Sequence, residues 1–206
     1  MNKPTKPDWM TPTGRPWGIR TAKTVYQNPW ITLREYQAVA PTGAPALYGV
    51  VNFQNYALAI LPLHEDGSVT LVGQHRFALA DYSWEIPEGG GPLGQDPLAG
   101  AQRELREETG LVAADWREVM RLQLSNSVTD EQAIGYIALD LSQADSDPDE
   151  TEAFQIVRVP FREVLDLALR GMISDVLTVA MLLRAYHMAK EGHLSEALAK
   201  AMLSPI

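Results

Sequence analysis

Residues 89–111 read Gly-Gly-Gly-Pro-Leu-Gly-Gln-Asp-Pro-Leu-Ala-Gly-Ala-Gln-Arg-Glu-Leu-Arg-Glu-Glu-Thr-Gly-Leu. The glycine run is expected to turn the chain. Asp96 followed by Pro97 marks a helix start, because the carboxylate can cap the first free N–H groups and proline suits the first helical position. Gly110 is the matching stop. The spacing between them predicts a helix over 97–109 with an apolar stripe of Leu98, Ala101 and Leu105. Beside that stripe Glu104, Glu107 and Glu108 fall within roughly a third of the helix circumference. Like charges so placed repel one another, and a helix that only packs has no need of them. A hard divalent cation does, since it takes oxygen ligands and is delivered to phosphates through carboxylates. The segment reads as a metal platform for phosphate chemistry.

The same residues resemble the signature of the Nudix hydrolases, Gly-x5-Glu-x7-Arg-Glu-(aliphatic)-x-Glu-Glu-x-Gly-(aliphatic). Gly89, Arg103, Glu104, Leu105, Glu107, Glu108, Gly110 and Leu111 stand at the signature's spacings, and Gln95 departs from its first glutamate. The resemblance implies an α/β (α+β) Nudix fold, a mixed β-sheet sandwiched between helices. It implies Mg²⁺ as cofactor, with Mn²⁺ as the alternative. Glu104 and Glu108 are then side-chain ligands, Glu107 is a third or water-mediated ligand, and Glu88 contributes its main-chain carbonyl. Arg103 joins the catalytic set as the guanidinium that orients these carboxylates. Gln95 can accept a hydrogen bond but brings no charge to that network.

Around the platform the pattern is mostly extended. Residues 1–20 are rich in Gly and Pro and read as a loose arm. Residues 21–53 read as an N-terminal β subdomain containing a hairpin, Ile31 to Val39 and Leu47 to Phe53 about the turn at 41–45. Residues 54–206 read as the hydrolase domain, with strands at Tyr56–Leu63, Ser68–Phe77, Arg117–Leu124, Ala133–Leu141 and Phe154–Val159. Two helices follow, Phe161–Arg170 and Asp175 to about Lys190. The second is expected to have Ser174 as cap and Val176, Val179, Ala180, Leu183 and Tyr186 toward the core. A last helical segment is expected within 191–206.

Further residues resemble the ADP-ribose and nucleoside-diphosphate-sugar branch of the same family. Arg76, closing Gln74-His75-Arg76 shortly before Trp84-Glu85-Ile86, corresponds to an arginine that contacts the diphosphate. The branch implies substrate-binding roles for Arg76, Glu85 and Gly90. Ser125 and Glu131 carry over from a substrate-contacting stretch, and Trp30 from a position that stacks on the base. Within the acidic loop Asp145 to Glu152, Asp149-Glu150-Thr151-Glu152 ahead of a strand resembles a loop that brings in a catalytic glutamate. Glu150 is the first choice as base, with Glu152 as metal ligand or alternative base. The implied reaction is hydrolysis of a nucleoside diphosphate sugar, ADP-ribose foremost, to AMP and ribose 5-phosphate. The alternatives are a CoA or dinucleoside polyphosphate hydrolase, or a catalytically silent ligand-binding regulator.

Composition narrows the partners. A formal charge of −9 argues against nucleic acid or an anionic membrane as partner. It leaves a nucleotide-sugar small molecule open, because a bound cation inverts the local field. With no cysteine, disulfides and thiolate metal sites are excluded. The absence of a long apolar run leads to the expectation of a cytoplasmic protein. The apolar residues of 24–53 exceed what a small appended sheet can bury, which points to a homodimer through that sheet.

Overall fold

The computed structural model describes residues 6–144 and 155–205, and the chain divides into two units. One comprises Met1–Phe53 with Ser127–Asp130, the other Gln54–Asn126 with Glu131–Ile206. The first is built on an antiparallel sheet of β1 (Gly18–Gln27), β2 (Ile31–Val39) and β3 (Pro45–Phe53), in that order. The expected hairpin is β2–β3. β1, however, begins at Gly18, inside the stretch read as a loose arm. Its sequence alternates too weakly to announce a strand, and only its pairing with β2 makes it one. Between β1 and β2 the side chain of Asn28 accepts from the amides of Trp30 and Ile31 at 2.9 and 2.8 Å, a local turn that Asn is suited to make. Ser127–Asp130 adds to the edge of this sheet. The Val51 amide donates to Val128 O, and the Asp130 carboxylate accepts from Phe53 N and Asn52 Nδ2.

The second unit holds β4 (Asn55–Pro62), β5 (Ser68–Arg76), β6 (Asp81–Glu85), β7 (Glu88–Pro92), β8 (Leu111–Gln123), β9 (Gln132–Gln143) and β10 (Gln155–Pro160). Its helices are α1 (Pro97–Thr109), α2 (Phe161–Leu169), α3 (Val176–Lys190) and α4 (Glu196–Leu203). A four-stranded mixed sheet runs β7-β4-β9-β8, with β4 and β9 parallel, and a second sheet runs β10-β5-β6. β4 is buried on both faces, and strand alternation sorts its side chains. Leu58 and Ile60 pack with Ala101 and Leu105 of α1, while Ala59 and Leu61 join Met181, Leu182 and Ala185 of α3. Each of these fully buried Leu or Ile side chains contributes about 1.5–3 kcal/mol. The sheet is thereby held between helices, as the family resemblance implied.

Helix α1 forms as its sequence prescribes. Asp96 accepts from the Leu98 amide at 3.1 Å, and Gly110 adopts φ 67°, its N–H returning to Arg106 O. The glycines before it behave otherwise than expected. Gly89, Gly90 and Gly91 lie in β7, paired antiparallel with β4, and none has a positive φ. Two of them serve close approach: a Cβ on Gly89 would collide with the Glu104 carboxyl, and one on Gly91 with Leu58. Helix α3 brings two corrections. Its cap is Asp175, not Ser174, with the Asp175 carboxylate accepting from Thr178 N at 2.7 Å. Its buried face is Leu177, Thr178, Met181, Leu182, Ala185, Met188 and Ala189, while Val176 and Leu183 are exposed. The helix is apolar nearly all round, so periodicity could not select the face. Among the described residues no helix is long and apolar enough to cross a membrane.

Candidate active site

The site grows from the contact between β7 and α1. Because Gly89 lacks a side chain, the Glu104 carboxyl lies directly against the strand. One turn later Glu108, also buried, accepts from the Glu88 amide at 3.1 Å. Arg103 spans the group from outside. Its guanidinium donates to Glu104 at 2.5 Å, to Glu107 at 2.7 Å and to the carbonyl oxygen of Gly90 at 3.1 Å. Burial works against its charge, yet Glu104 and Glu107 together raise its pKa above the ordinary arginine value. A guanidinium forked across two carboxylates and a strand carbonyl fixes the helix register against β7.

A second cluster adjoins this one. Glu85, only 3% exposed at the end of β6, accepts both nitrogen groups of Arg76 from the paired end of β5. These hydrogen bonds raise the Arg76 pKa, against the effect of burial, and the charges of Glu88 and Glu108 add to the rise. Arg76 thus lies within electrostatic reach of both clusters. Burial pushes the Glu88 carboxyl well above the usual carboxylate range, reinforced by the charge of Asp175, a hydrogen bond to Asp175 and the charge of Glu85, with Arg76 opposing. Its Oε1 is sealed from solvent and has no hydrogen-bond partner. Asp175 is the functional candidate that sequence reasoning missed. Its signal was the capping position of α3, which was given to Ser174 instead.

The oxygen-only donor set of Glu104, Glu107, Glu108 and the Glu88 carbonyl suits a hard divalent cation, and Gly89 leaves the space that the Glu104 carboxyl fills beside that carbonyl. Among the described residues no three carboxylate or imidazole groups already converge as an ion-holding cluster. Gln95 is exposed in the turn ahead of α1. Ser125 and Glu131 flank the segment that joins the first unit, and the Leu124 amide donates to Glu131 O at 3.3 Å. Trp30 is 64% exposed in the first unit. His75 packs edge-on against Tyr82, as suits a structural histidine. Glu150 and Glu152 lie outside the described residues. A cleft of about 400 Å³ borders the platform at Arg103 and Glu107 and is walled by Arg106 and Trp116. Another of about 480 Å³, between Leu139 and Leu198, contains none of the candidate residues.

Comparison with known proteins identifies the family. The family model described as NUDIX domain matches residues 53–177. The chain belongs to the NUDIX family. An ADP-ribose pyrophosphatase of Mycobacterium tuberculosis is 29% identical over 175 residues, 84% of this chain and 84% of the relative. An ADP-ribose pyrophosphatase of Bacillus subtilis is 30% identical over 124 residues, 59% of this chain and 67% of the relative. A crystal structure of an ADP compounds hydrolase aligns with a TM-score of 0.79 at 21% identity, covering 89% of this chain and 100% of that one, which shows the NUDIX fold. Members of the family generally use a divalent metal, and the NUDIX match spans all of the carboxylate platform.

Proposed function

We propose that this NUDIX protein hydrolyses the diphosphate linkage of a nucleoside diphosphate sugar, with ADP-ribose as preferred substrate and Mg²⁺ or Mn²⁺ as cofactor. The observation that carries this reading is the joint arrangement at β7 and α1: buried Glu104 against Gly89 and buried Glu108 on the Glu88 amide, with Arg76 on its Glu85 partner. The likeness to two ADP-ribose pyrophosphatases supports the choice of substrate.

Glu104 and Glu108 would hold the metal with the Glu88 carbonyl, and Glu107 would hold a ligated water. The metal, when bound, supplies positive charge to the diphosphate oxygens and lowers the pKa of a water. Arg103 keeps the carboxylates aimed. Arg76 is held by Glu85 and offers its remaining donor face to a diphosphate. Glu150 takes the proton from the attacking water, with Glu152 as second ligand or alternative base. Gly90, Ser125, Glu131 and Trp30 complete substrate recognition.

A homodimer formed through the first unit belongs to the same reading. Every residue of β1 is exposed in the single chain, among them Ile19, Val25 and Tyr26, and Trp30 and Leu47 add to this apolar surface. The deciding experiment is a panel of ADP-ribose, other nucleoside diphosphate sugars, CoA and dinucleoside polyphosphates with Mg²⁺, the products identified by chromatography. AMP with ribose 5-phosphate as the fastest product pair is expected. Faster cleavage of CoA or a dinucleoside polyphosphate overturns the substrate, and no hydrolysis of any member overturns the reading.

A further inference from the structure

Residues 85–88 join the two sheets of the second unit at the site. Their path turns Glu85 toward Arg76, and it carries the Glu88 carbonyl and the amide that pairs with Glu108. Strand pairing fixes it only in part: β6 ends at Glu85 and β7 starts at Glu88 in different sheets, and between them the Ile60 amide of β4 donates to Pro87 O at 2.9 Å, which leaves the Ile86 amide to be satisfied elsewhere. A bond from a helix distant in sequence closes the gap. The buried Ile86 amide donates to Thr178 Oγ1 at 3.0 Å, and Thr178 is itself fully buried. Asp175 caps α3 through Thr178 N at 2.7 Å, which holds Thr178 in place, and its charge reaches the Glu88 carboxyl. One helical turn therefore grips the junction at Ile86 and lies within electrostatic reach of Glu88. A threonine buried in the first turn of an apolar helix gains nothing from packing that valine would not supply. Its hydroxyl is explained by the orphan amide it satisfies.

We propose that the first turn of α3 is a positioning device for the metal-facing strand, with Thr178 and Asp175 acting through the backbone of residues 86–88. The proposal rests on the metal reading of the box carboxylates given above. Thr178→Val keeps the shape and leaves the Ile86 N–H without an acceptor, so the junction relaxes and the Glu88 carbonyl loses its aim. Asp175→Ala removes the cap that holds Thr178 in place, whereas Asp175→Asn retains an acceptor for Thr178 N.

The test measures Mn²⁺ affinity by paramagnetic resonance in the absence of substrate, together with kcat and KM, thermal stability and hydrogen exchange at Ile86. Thr178→Val is expected to weaken Mn²⁺ binding by about tenfold, as loss of an outer partner typically does. It should lower kcat with KM little changed and speed exchange at Ile86, and Thr178→Ser should restore all of these. A Thr178→Val protein that is folded but less stable, with wild-type Mn²⁺ affinity and kcat, overturns the proposal, since the turn would then be structural only. If Thr178→Val does not fold, the Asp175 pair decides it: Ala should lose Mn²⁺ affinity and Asn should keep it, and equal affinities overturn the proposal. A wild-type protein that binds no Mn²⁺ overturns the metal reading itself and this proposal with it.

Discussion

Gly89→Ala isolates the steric core of the site. The backbone of Gly89 is extended and paired in β7, so alanine brings no conformational strain. Its Cβ, however, would overlap the Glu104 carboxyl carbon and both of its oxygens. Restoring an ordinary carbon separation of about 3.5 Å requires the carboxylate to retreat by about 1.5 Å. The side chain is flexible at that end, so the fold should survive at a cost of about 1–3 kcal/mol. The retreat takes Glu104 off its bond to Arg103 and away from the Glu108 side of the strand. A misplacement of about 1 Å at a catalytic group costs about 10²-fold in rate. Thermal melting, an Mn²⁺ titration and turnover of ADP-ribose measure the three effects separately. Gly90→Ala is the internal control for the titration, because its Cβ would meet only Asn55, at 3.5 Å. Wild-type Mn²⁺ affinity and turnover in a folded Gly89→Ala protein would falsify the claim that this glycine exists to admit Glu104.

Glu104→Gln and Glu108→Gln should each slow turnover by about 10²–10³-fold with the fold intact by circular dichroism; near-normal rates would remove the metal platform. Glu150→Gln should cost about 10²–10⁴-fold in kcat with KM little changed, and Glu152→Gln should cost less; if the double variant turns over normally, Glu131 is tested next. Sedimentation equilibrium should give a dimer, and Trp30→Ala should weaken both association and substrate binding; a monomer at micromolar concentration would exclude the shared sheet. Burial, reinforced by the Arg158 charge and opposed by Asp66, holds the His64 imidazole below its ordinary 6.5. The folded state therefore binds fewer protons than the unfolded one, so the His64 contribution is complete above pH 6.5 and is lost as pH falls through the lowered folded value. His64→Gln should flatten the fall in melting temperature on acidification from about pH 7.5 to about pH 5.5, and an unchanged fall would assign it to other groups.

What the sequence determined by itself was local. Asp96, Pro97 and Gly110 bound α1 because capping and the left-handed φ of glycine act within one helical turn. The arc of Glu104, Glu107 and Glu108 follows from helical geometry alone, and so does the ion pair from Arg103 to Glu107 four residues on. The β2–β3 hairpin was legible for the same reason, through its turn residues. What only the tertiary structure decided involves partners far apart in the chain. The glycines at 89–91 gave no sign of whether they served a turn or a close approach until β4 and α1 were seen to pack against them. The apolar face of α3 could not be chosen from a helix apolar nearly all round; it is the face that packs Met181, Leu182 and Ala185 with Ala59 and Leu61 of β4 and bonds Thr178 to Ile86, 92 residues away in sequence. Asp175 reached the site by the same route. A side chain's own periodicity specifies its place on an element, but the identity of its neighbours across elements is fixed only when the sheets close on their helices.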